Sequence, residues 1–203
     1  MDILATSKEL QQTAIEEVPA IDEKGNGMFG MTVFLLSESI VFLSFFATYI
    51  MLRTGTSDWF PAGVSGLELF KPTINTAILV SSSGVIYLAE RALDRNQIRK
   101  FRLLLLTTAL MGAYFLYGQA VEWNGLAFGL TSGSFGSTFY LLTGFHGLHV
   151  FAGLLLQLMV LIRSLTPYHA TPESHFGFSA TALFWHFVDI IWIILFALLY
   201  LWR

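Results

Sequence analysis

Residues 28–52 read MFGMTVFLLSESIVFLSFFATYIML and contain a single carboxylic acid side chain, Glu38, and no basic one. A run of about 20 apolar residues is long enough to cross the hydrocarbon core of a bilayer as an α-helix. A carboxylate at the centre of such a helix costs about 2.5–3.5 kcal/mol even on lenient insertion scales, and residues kept at that cost usually face other helices. We therefore predict a transmembrane helix whose embedded carboxylate, Glu38, faces the inside of a bundle and has a specific role.

Four further apolar runs follow, at residues 73–90, 103–122, 138–162 and 180–202. Of the 203 residues, 55% are apolar and 12% are charged, whereas soluble domains have about 25% charged residues. The first 26 residues are different, because six carboxylates stand there against two lysines. The sequence predicts an all-α polytopic membrane protein, in which a partly disordered acidic tail (1–27) precedes a bundle of five transmembrane helices (28–203).

The loop between the second and third runs is basic. Cytoplasmic loops carry an excess of Lys and Arg, which sets the orientation of the whole chain. We therefore predict that this loop and the N-terminus are cytoplasmic and that the C-terminus lies outside. Basic side chains at this level also attract anionic lipid headgroups. The candidates for headgroup contacts are Arg91, Arg95, Arg99, Lys100 and Arg102.

Three runs contain polar pairs at a spacing of three residues, which places both members on one face of a helix. We interpret these side chains as buried interhelical hydrogen-bonding groups, the usual role of polar residues between membrane helices. The pairs lie in GQAVEW (118–123), TGFHGLHV (143–150) and WHFVDIIW (185–192), and consist of Gln119 and Glu122, His146 and His149, and His186 and Asp189.

Composition limits the possible cofactors and partners. The chain has no cysteine, which excludes disulfides, thiolate copper or zinc sites and iron–sulfur clusters. A di-iron site of the bundle type needs Glu-x-x-His units, and no such unit occurs. Two histidines on different helices, such as His149 and His186, can ligate haem, but each histidine has a nearby polar group as an alternative partner. The net charge of −3 favours no nucleic-acid partner.

Several motifs, taken in order, resemble subunit III of the haem–copper oxidases, in particular the cytochrome c oxidase type. The first is Gly30-Met31 followed by Phe34 and Ser37-Glu38, which is similar to the first shared helix with its embedded glutamate. The resemblance covers about residues 28–203. Seven-span members of the family have two additional helices before these five. Five-span bacterial forms lack that pair. The other motifs are residues 79–84, Gln119 with Glu122, residues 136–140, 143–150, 175–178 and 185–192.

The resemblance implies a subunit of an aerobic respiratory terminal oxidase, which reduces O2 to water and pumps protons. It implies no catalytic residue, haem or copper on this chain, since those centres belong to subunits I and II, and cytochrome c is the electron donor to the complex. The expected role is to pack against subunit I as the main contact, with subunit II also a partner, and to stabilise the proton-uptake side and bound phospholipids. In five-span members of the family the missing pair of helices can be carried by subunit I.

Two alternatives stay open at this point. The same subunit occurs in quinol oxidases, which differ in whether subunit II carries a dicopper site. An independent proton channel or transporter could use Glu38 and the pair His186 and Asp189, although transporters usually show internal repeats or broken helices. The expected location is the bacterial plasma membrane, or the thylakoid membrane if the source is cyanobacterial.

Overall fold

The computed structural model describes residues 23–61, 66–165 and 176–202, with side chains from residue 27 onward. Five helices in these ranges are long and apolar enough to cross a membrane, which confirms the predicted all-α membrane fold. The helices are α1 (Glu23–Gly55), α2 (Phe70–Asp94), α3 (Ile98–Gly125), α4 (Gly133–Leu165) and α5 (Phe176–Phe196), and α5 continues as a π-helical turn, Ala197–Leu201.

Helices α1 to α4 are each longer than their apolar runs, and α5 exceeds its run only when the π-helical turn is included. At 33 residues, α1 and α4 are each about 50 Å long, against a hydrocarbon core of about 30 Å. The acidic tail predicted for residues 1–27 lies mostly outside the described residues, and its last residues belong to α1. His175 of the 175–178 motif is also outside the described residues.

A tight turn joins α2 to α3. Asn96 has a φ of 56°, a left-handed conformation that Asn adopts more easily than other side-chain-bearing residues. Its backbone N–H donates to the carbonyl of Leu93, and the N–H of Gln97 donates to the carbonyl of Ala92, both at 2.8 Å. These are the two hydrogen bonds of a Schellman motif, which satisfies carbonyls at a helix end. The turn holds α2 and α3 as the most closely packed antiparallel pair of the bundle.

Helix α5 is the centre of the bundle. It packs against α4, α2 and α1, while α3 packs between α2 and α4. Half of the residues in its most apolar stretch are buried within the chain, whereas 22–33% are buried in the corresponding stretches of the other four helices. Helix α5 also has the highest mean hydropathy of the five. The most apolar helix is therefore the one that the rest of the chain covers most completely.

Trp185 on α5 occupies a socket formed by three other helices. Its Nε1 donates to the hydroxyl of Ser82 on α2 at 2.8 Å. A Cβ at Gly112 on α3 would lie 2.5 Å from Cη2 of the indole, and a Cβ at Gly153 on α4 would lie 2.8 Å from Cε3. Small residues of this kind let membrane helices approach closely. Four helices therefore meet at one fully buried side chain.

The helix order fixes which ends share a side of the membrane. The α2–α3 turn lies at the same end as the start of α5 and the end of α4, because Arg102 near the start of α3 donates to Ser164 near the end of α4. The start of α2 and the α3–α4 loop lie at the opposite end. Which of these ends is cytoplasmic stays a prediction from the basic residues.

Replacing Gly153 by Ala should destabilise the bundle, because the new Cβ would overlap the ring of Trp185. Overpacking of this kind costs about 1–3 kcal/mol. Gly84→Ala is the matched control, since nothing lies within 4 Å of a Cβ there. Unfolding of the purified protein in detergent should show a lower midpoint for Gly153→Ala than for Gly84→Ala. Equal midpoints would contradict a tight socket.

Cysteine labelling tests the orientation, and the natural sequence has no cysteine to interfere. Gln97→Cys is preferable to a cysteine at Asn96, because Asn96 has a positive φ and Gln97 is equally exposed. A membrane-impermeant maleimide should modify Gln97→Cys from the cytoplasmic side and Thr131→Cys, in the α3–α4 loop, from the opposite side. The reverse pattern would overturn the predicted topology.

Candidate functional site

Glu38 on α1 is paired with His149 on α4 at the middle of the bundle. The distance from Oε2 of Glu38 to Nε2 of His149 is 3.1 Å, and the side chains are 21% and 12% exposed, respectively. Phe42, Phe145 and Phe184 surround the imidazole with ring centroids 4.8–6.2 Å away. The embedded carboxylate therefore has a partner on another helix and an aromatic enclosure.

The hydrogen bonds of His149 determine what the pair can hold. Nδ1 lies 2.8 Å from the carbonyl oxygen of Phe145, and a carbonyl can only accept, so Nδ1 carries a proton. If the imidazole is neutral, Nε2 is then an acceptor and the carboxyl of Glu38 must donate. If Nε2 is protonated, the carboxylate of Glu38 accepts from an imidazolium. In both arrangements a single proton lies between the two groups and the pair is neutral overall.

Ser83 on α2 joins both members of the predicted pair on α5. Its hydroxyl lies 3.1 Å from Nδ1 of His186 and donates to Oδ2 of Asp189. One hydroxyl can donate once and accept twice, so a single serine serves both groups. Oδ1 of Asp189 is buried without a hydrogen-bond partner among the described residues. His186 and Asp189 therefore share a face, as their spacing predicts, and that face meets α2.

Glu122 on α3 forms a third polar cluster near the end of α5. It accepts from the hydroxyl of Tyr200 at 2.9 Å and from Nε2 of Gln119 at 3.2 Å. The contact to Tyr200 joins two helices, whereas the contact to Gln119 is within α3. Gln119 and Glu122, three residues apart, thus hydrogen-bond to each other, and only Glu122 also bonds to another helix.

His146 does not fit the expected pattern. It is fully buried, and neither ring nitrogen has a hydrogen-bond partner among the described residues. The ring stacks on Trp192 with centroids 4.8 Å apart and meets the edge of Phe115 at 5.8 Å. His146 and His149 are offset by about 60° around the helix, so His146 faces α3 and α5 while His149 faces α1. The expected interhelical hydrogen bond of His146 is replaced by aromatic packing.

The basic residues near the α2–α3 turn fall into two groups. Arg91, Arg95, Arg99 and Lys100 are exposed, and the guanidinium of Arg91 lies 4.7 Å from the ring centroid of Tyr87. Arg102 is half-buried and binds the hydroxyl and the carbonyl of Ser164. A cation at the C-terminal end of α4 is favourable there. Arg102 is therefore bound within the chain, whereas the other four side chains are exposed, and their contact with headgroups stays a prediction.

The sequence does not indicate the partners that complete these contacts. Asn75 and Ser83 stand out as polar residues of the second apolar run, which is a signal for interhelical bonds, whereas nothing in the sequence marks Tyr200. Nδ2 of Asn75 donates to the carbonyl of Phe115 at 3.0 Å. Among the described side chains, no three His, Asp or Glu residues come together in a group that could hold a metal ion.

Replacing Ser83 by Ala should weaken the contact between α2 and α5, because His186 and Asp189 lose their common partner. Leaving a buried polar group unsatisfied costs about 1–3 kcal/mol. Ser81→Ala is the control, since that exposed hydroxyl bonds only to the carbonyl of Ala77 on its own helix. Thermal unfolding in detergent should separate the two variants. Indistinguishable midpoints would show that the Ser83 contacts contribute nothing.

Comparison of the sequence with known proteins identifies the family of this chain. The family model described as "Cytochrome c oxidase subunit III" matches residues 19–203. Cytochrome c oxidase subunit 3 of Thermostichus vulcanus is 47% identical over 193 residues, which is 95% of this chain and 96% of the relative.

Two further relatives with the same name cover most of the chain. The protein from a Synechocystis species is 48% identical over 174 residues, covering 86% of this chain and 75% of the relative. The protein from Latimeria chalumnae is 39% identical over 180 residues, covering 86% of this chain and 69% of the relative. The matched ranges include the helices that carry the Glu38–His149 pair, the Ser83 cluster and Glu122, and the chain belongs to the cytochrome c oxidase subunit III family.

Proposed function

We propose that this chain is a scaffold subunit that has no redox centre of its own. It stabilises subunit I, the side of the complex where protons are taken up, and the lipids bound there. Family membership makes it part of a respiratory oxidase. One observation carries the scaffold role. Most buried polar side chains of this chain make hydrogen bonds between two helices or within a single helix.

These contacts join every helix to at least one other. Glu38 joins α1 to α4, Ser83 joins α2 to α5, and Glu122 joins α3 to α5. Trp192 on α5 donates to Thr76 on α2 at 2.9 Å, and Tyr49 on α1 donates to the carbonyl of Leu198 at 3.1 Å. Interhelical hydrogen bonds each contribute modestly in membranes, but here they act together with the Trp185 socket. A bundle fastened in this way suits a rigid support.

A proton channel is the second candidate, and the placement of the polar clusters argues against it. A channel needs ionisable groups in a continuous chain, whereas Glu38 and the Ser83 cluster contact different sides of α5. Phe184 faces α1 and α4, where it stacks on His149, and Trp185 fills the bundle centre. His186 faces α2. Bulky rings therefore separate the two clusters, which supports independent structural roles.

Glu38 also contributes to the proposed contact with partner subunits. About one fifth of its side chain is not covered by the chain itself. A partly exposed carboxyl near the middle of a bilayer is stable when a protein or polar lipid group covers it. We assign this surface of α1 to the contact with subunit I and its associated lipids. The exposed basic residues Arg91, Arg95, Arg99 and Lys100 suit anionic headgroups at the end of the bundle where protons are taken up.

Cytochrome c is the proposed donor to the complex, since the relatives that are 47% and 48% identical are named cytochrome c oxidase subunits. A quinol oxidase is the alternative, and a dicopper site in the partner subunit II decides between them. The cyanobacterial relatives fit either the plasma membrane or the thylakoid membrane. Haem and copper are assigned to the partner subunits, and purification of the intact complex with a haem spectrum of each chain tests this.

Glu38→Gln should leave oxygen reduction nearly unchanged, whereas Glu38→Ala should loosen the subunit. A glutamine amide can donate to the acceptor Nε2 of His149 and keep the α1–α4 bond. Alanine leaves that nitrogen unsatisfied, at a cost of about 1–3 kcal/mol. Oxygen consumption and the fraction of complexes that retain this chain should be measured together in the purified oxidase.

The combination of readouts separates the two roles. Loss of the chain from the Glu38→Ala complex with normal initial turnover is the expected result. Ser44→Ala on the same helix is the control, because its exposed hydroxyl bonds only to the carbonyl of Ile40. A Glu38→Gln complex that keeps the chain but consumes no oxygen would refute the scaffold role and indicate direct proton transfer.

A further inference from the structure

His186 on α5 lies at the outer surface of the bundle, beside exposed apolar side chains. The imidazole is partly exposed, and Ile190 and Ile193, which lie within about 40° of it around the helix, are 58% and 50% exposed. His186 is ten residues from Phe176, where α5 begins, and fifteen from Leu201, where the π-helical turn ends. It is therefore at least about 15 Å from either end of the helix, near the middle of the bilayer.

The hydrogen bonds inside the bundle determine which atom of His186 is left without a partner. Nδ1 lies 3.1 Å from the hydroxyl oxygen of Ser83 on α2, and that hydroxyl donates to Oδ2 of Asp189. A hydroxyl has one hydrogen to donate, so Ser83 accepts from Nδ1 in this arrangement. Nε2 of His186 has no hydrogen-bond partner among the described residues. The free atom of this cluster is therefore the ring nitrogen on the exposed side chain.

An electrically neutral cluster has a hydrogen on Nε2. If Asp189 is a carboxylate, the balancing group is an imidazolium, in which both ring nitrogens carry hydrogen. If Asp189 instead holds the proton and donates it to Ser83, the hydroxyl donates to Nδ1 and the imidazole hydrogen is on Nε2. A proton on Oδ1 of Asp189 is unfavourable, because that buried atom has no partner among the described residues. Since a net charge in hydrocarbon is costly, Nε2 presents an N–H donor outward.

Neither lipid nor this chain supplies an acceptor at that depth. The hydrocarbon core is about 30 Å thick, and it offers a polar group no hydrogen bond. Glu90 is on the same face of α2 as Ser83, but it lies seven residues farther on, about 10 Å along the helix, and has no hydrogen bond to His186. An acceptor for Nε2 must therefore come from another chain that crosses the membrane.

The neighbouring surface of α2 allows such a chain to approach closely. Gly84 follows Ser83 and is exposed, and nothing lies within 4 Å of a Cβ built there. Small residues at a helix surface let the backbone of another membrane helix come near, which is how such helices associate without a hydrophobic driving force. The surface beside His186 thus combines a small residue on α2 with apolar side chains on α5.

We propose that the face formed by Gly84, His186, Ile190 and Ile193 docks a transmembrane helix of another subunit of the oxidase. Nε2 of His186 donates a hydrogen bond to a hydroxyl, amide or carboxyl oxygen on that helix. Ser83 and Asp189 are positioning residues, because they hold the ring and keep a hydrogen on Nε2. This docking face goes beyond the scaffold role proposed above, since it lies on α2 and α5 and is separate from the contact assigned to Glu38 on α1.

A photo-reactive amino acid tests which molecule covers this face. It is placed at Ile190, and in a separate preparation at Leu110 of α3, in the intact purified oxidase complex. Leu110 is the matched control, since it is 62% exposed on a helix that packs mainly against α2 and α4. After illumination, mass spectrometry of the products should show one other membrane-spanning subunit attached at Ile190, and that subunit should not be attached at Leu110.

Two substitutions at His186 test the hydrogen bond itself. His186→Gln keeps an N–H donor near the position of Nε2, whereas His186→Leu has none. Both variants lose the ring nitrogen that bonds to Ser83, so their difference reports the outward bond. Dissociation of this chain from the complex in detergent should be about three- to thirtyfold faster for His186→Leu than for His186→Gln, the range expected for one hydrogen bond between membrane helices.

Three results would overturn the proposal. Capture of lipid alone at Ile190 would show that the face lies against the bilayer. Capture of the same subunit to an equal extent from Leu110 would show that the contact does not belong to this face. Equal dissociation of the two His186 variants would show that no donor is used. The crosslink reads a surface that does not include Glu38, so its failure is distinguishable from failure of the scaffold role.

Discussion

The indole of Trp185 is the contact on which the packing of this bundle depends. It brings α5 against Ser82, Gly112 and Gly153, and so sets the spacing of four helices at once. Lipid tails are as apolar as leucine, so the hydrophobic effect does not drive helices together within a bilayer. Close backbone approach and a few hydrogen bonds must do so. A large ring between two glycines provides the contact area that those forces require.

The polar clusters follow from the same constraint, because hydrocarbon offers a polar side chain no hydrogen bond. Each cluster has at least one hydrogen bond to a neighbouring helix, and each one joins a different pair of helices. The bonds are thus directional, whereas apolar packing alone would allow helices to rotate or slide. Glu38, Ser83 and Glu122 therefore specify which faces meet as much as they add stability. His146 shows the alternative, in which a polar ring is accommodated by aromatic stacking.

The number and positions of the helices follow from apolar runs in the sequence, because a bilayer allows few other folds. The face that each polar residue occupies also follows, from the spacing of three. The partner across the interface does not, since it depends on the rotation of each helix about its axis. For this reason the bond of Glu38 to another helix was predictable but His149 was not. The shared role of Ser83 and the aromatic environment of His146 depend on the same rotations.

Helix α1 packs mainly against α5 and then α4, the last two helices of the chain. Chains are synthesised from the N-terminus at about 5–20 residues per second. The 111 residues that separate Glu38 from His149 therefore take roughly 5–20 s to follow. During this interval α1 is already inserted, but its carboxyl lacks the imidazole that later covers it. The order of synthesis thus separates the first helix in time from the two helices that cover it.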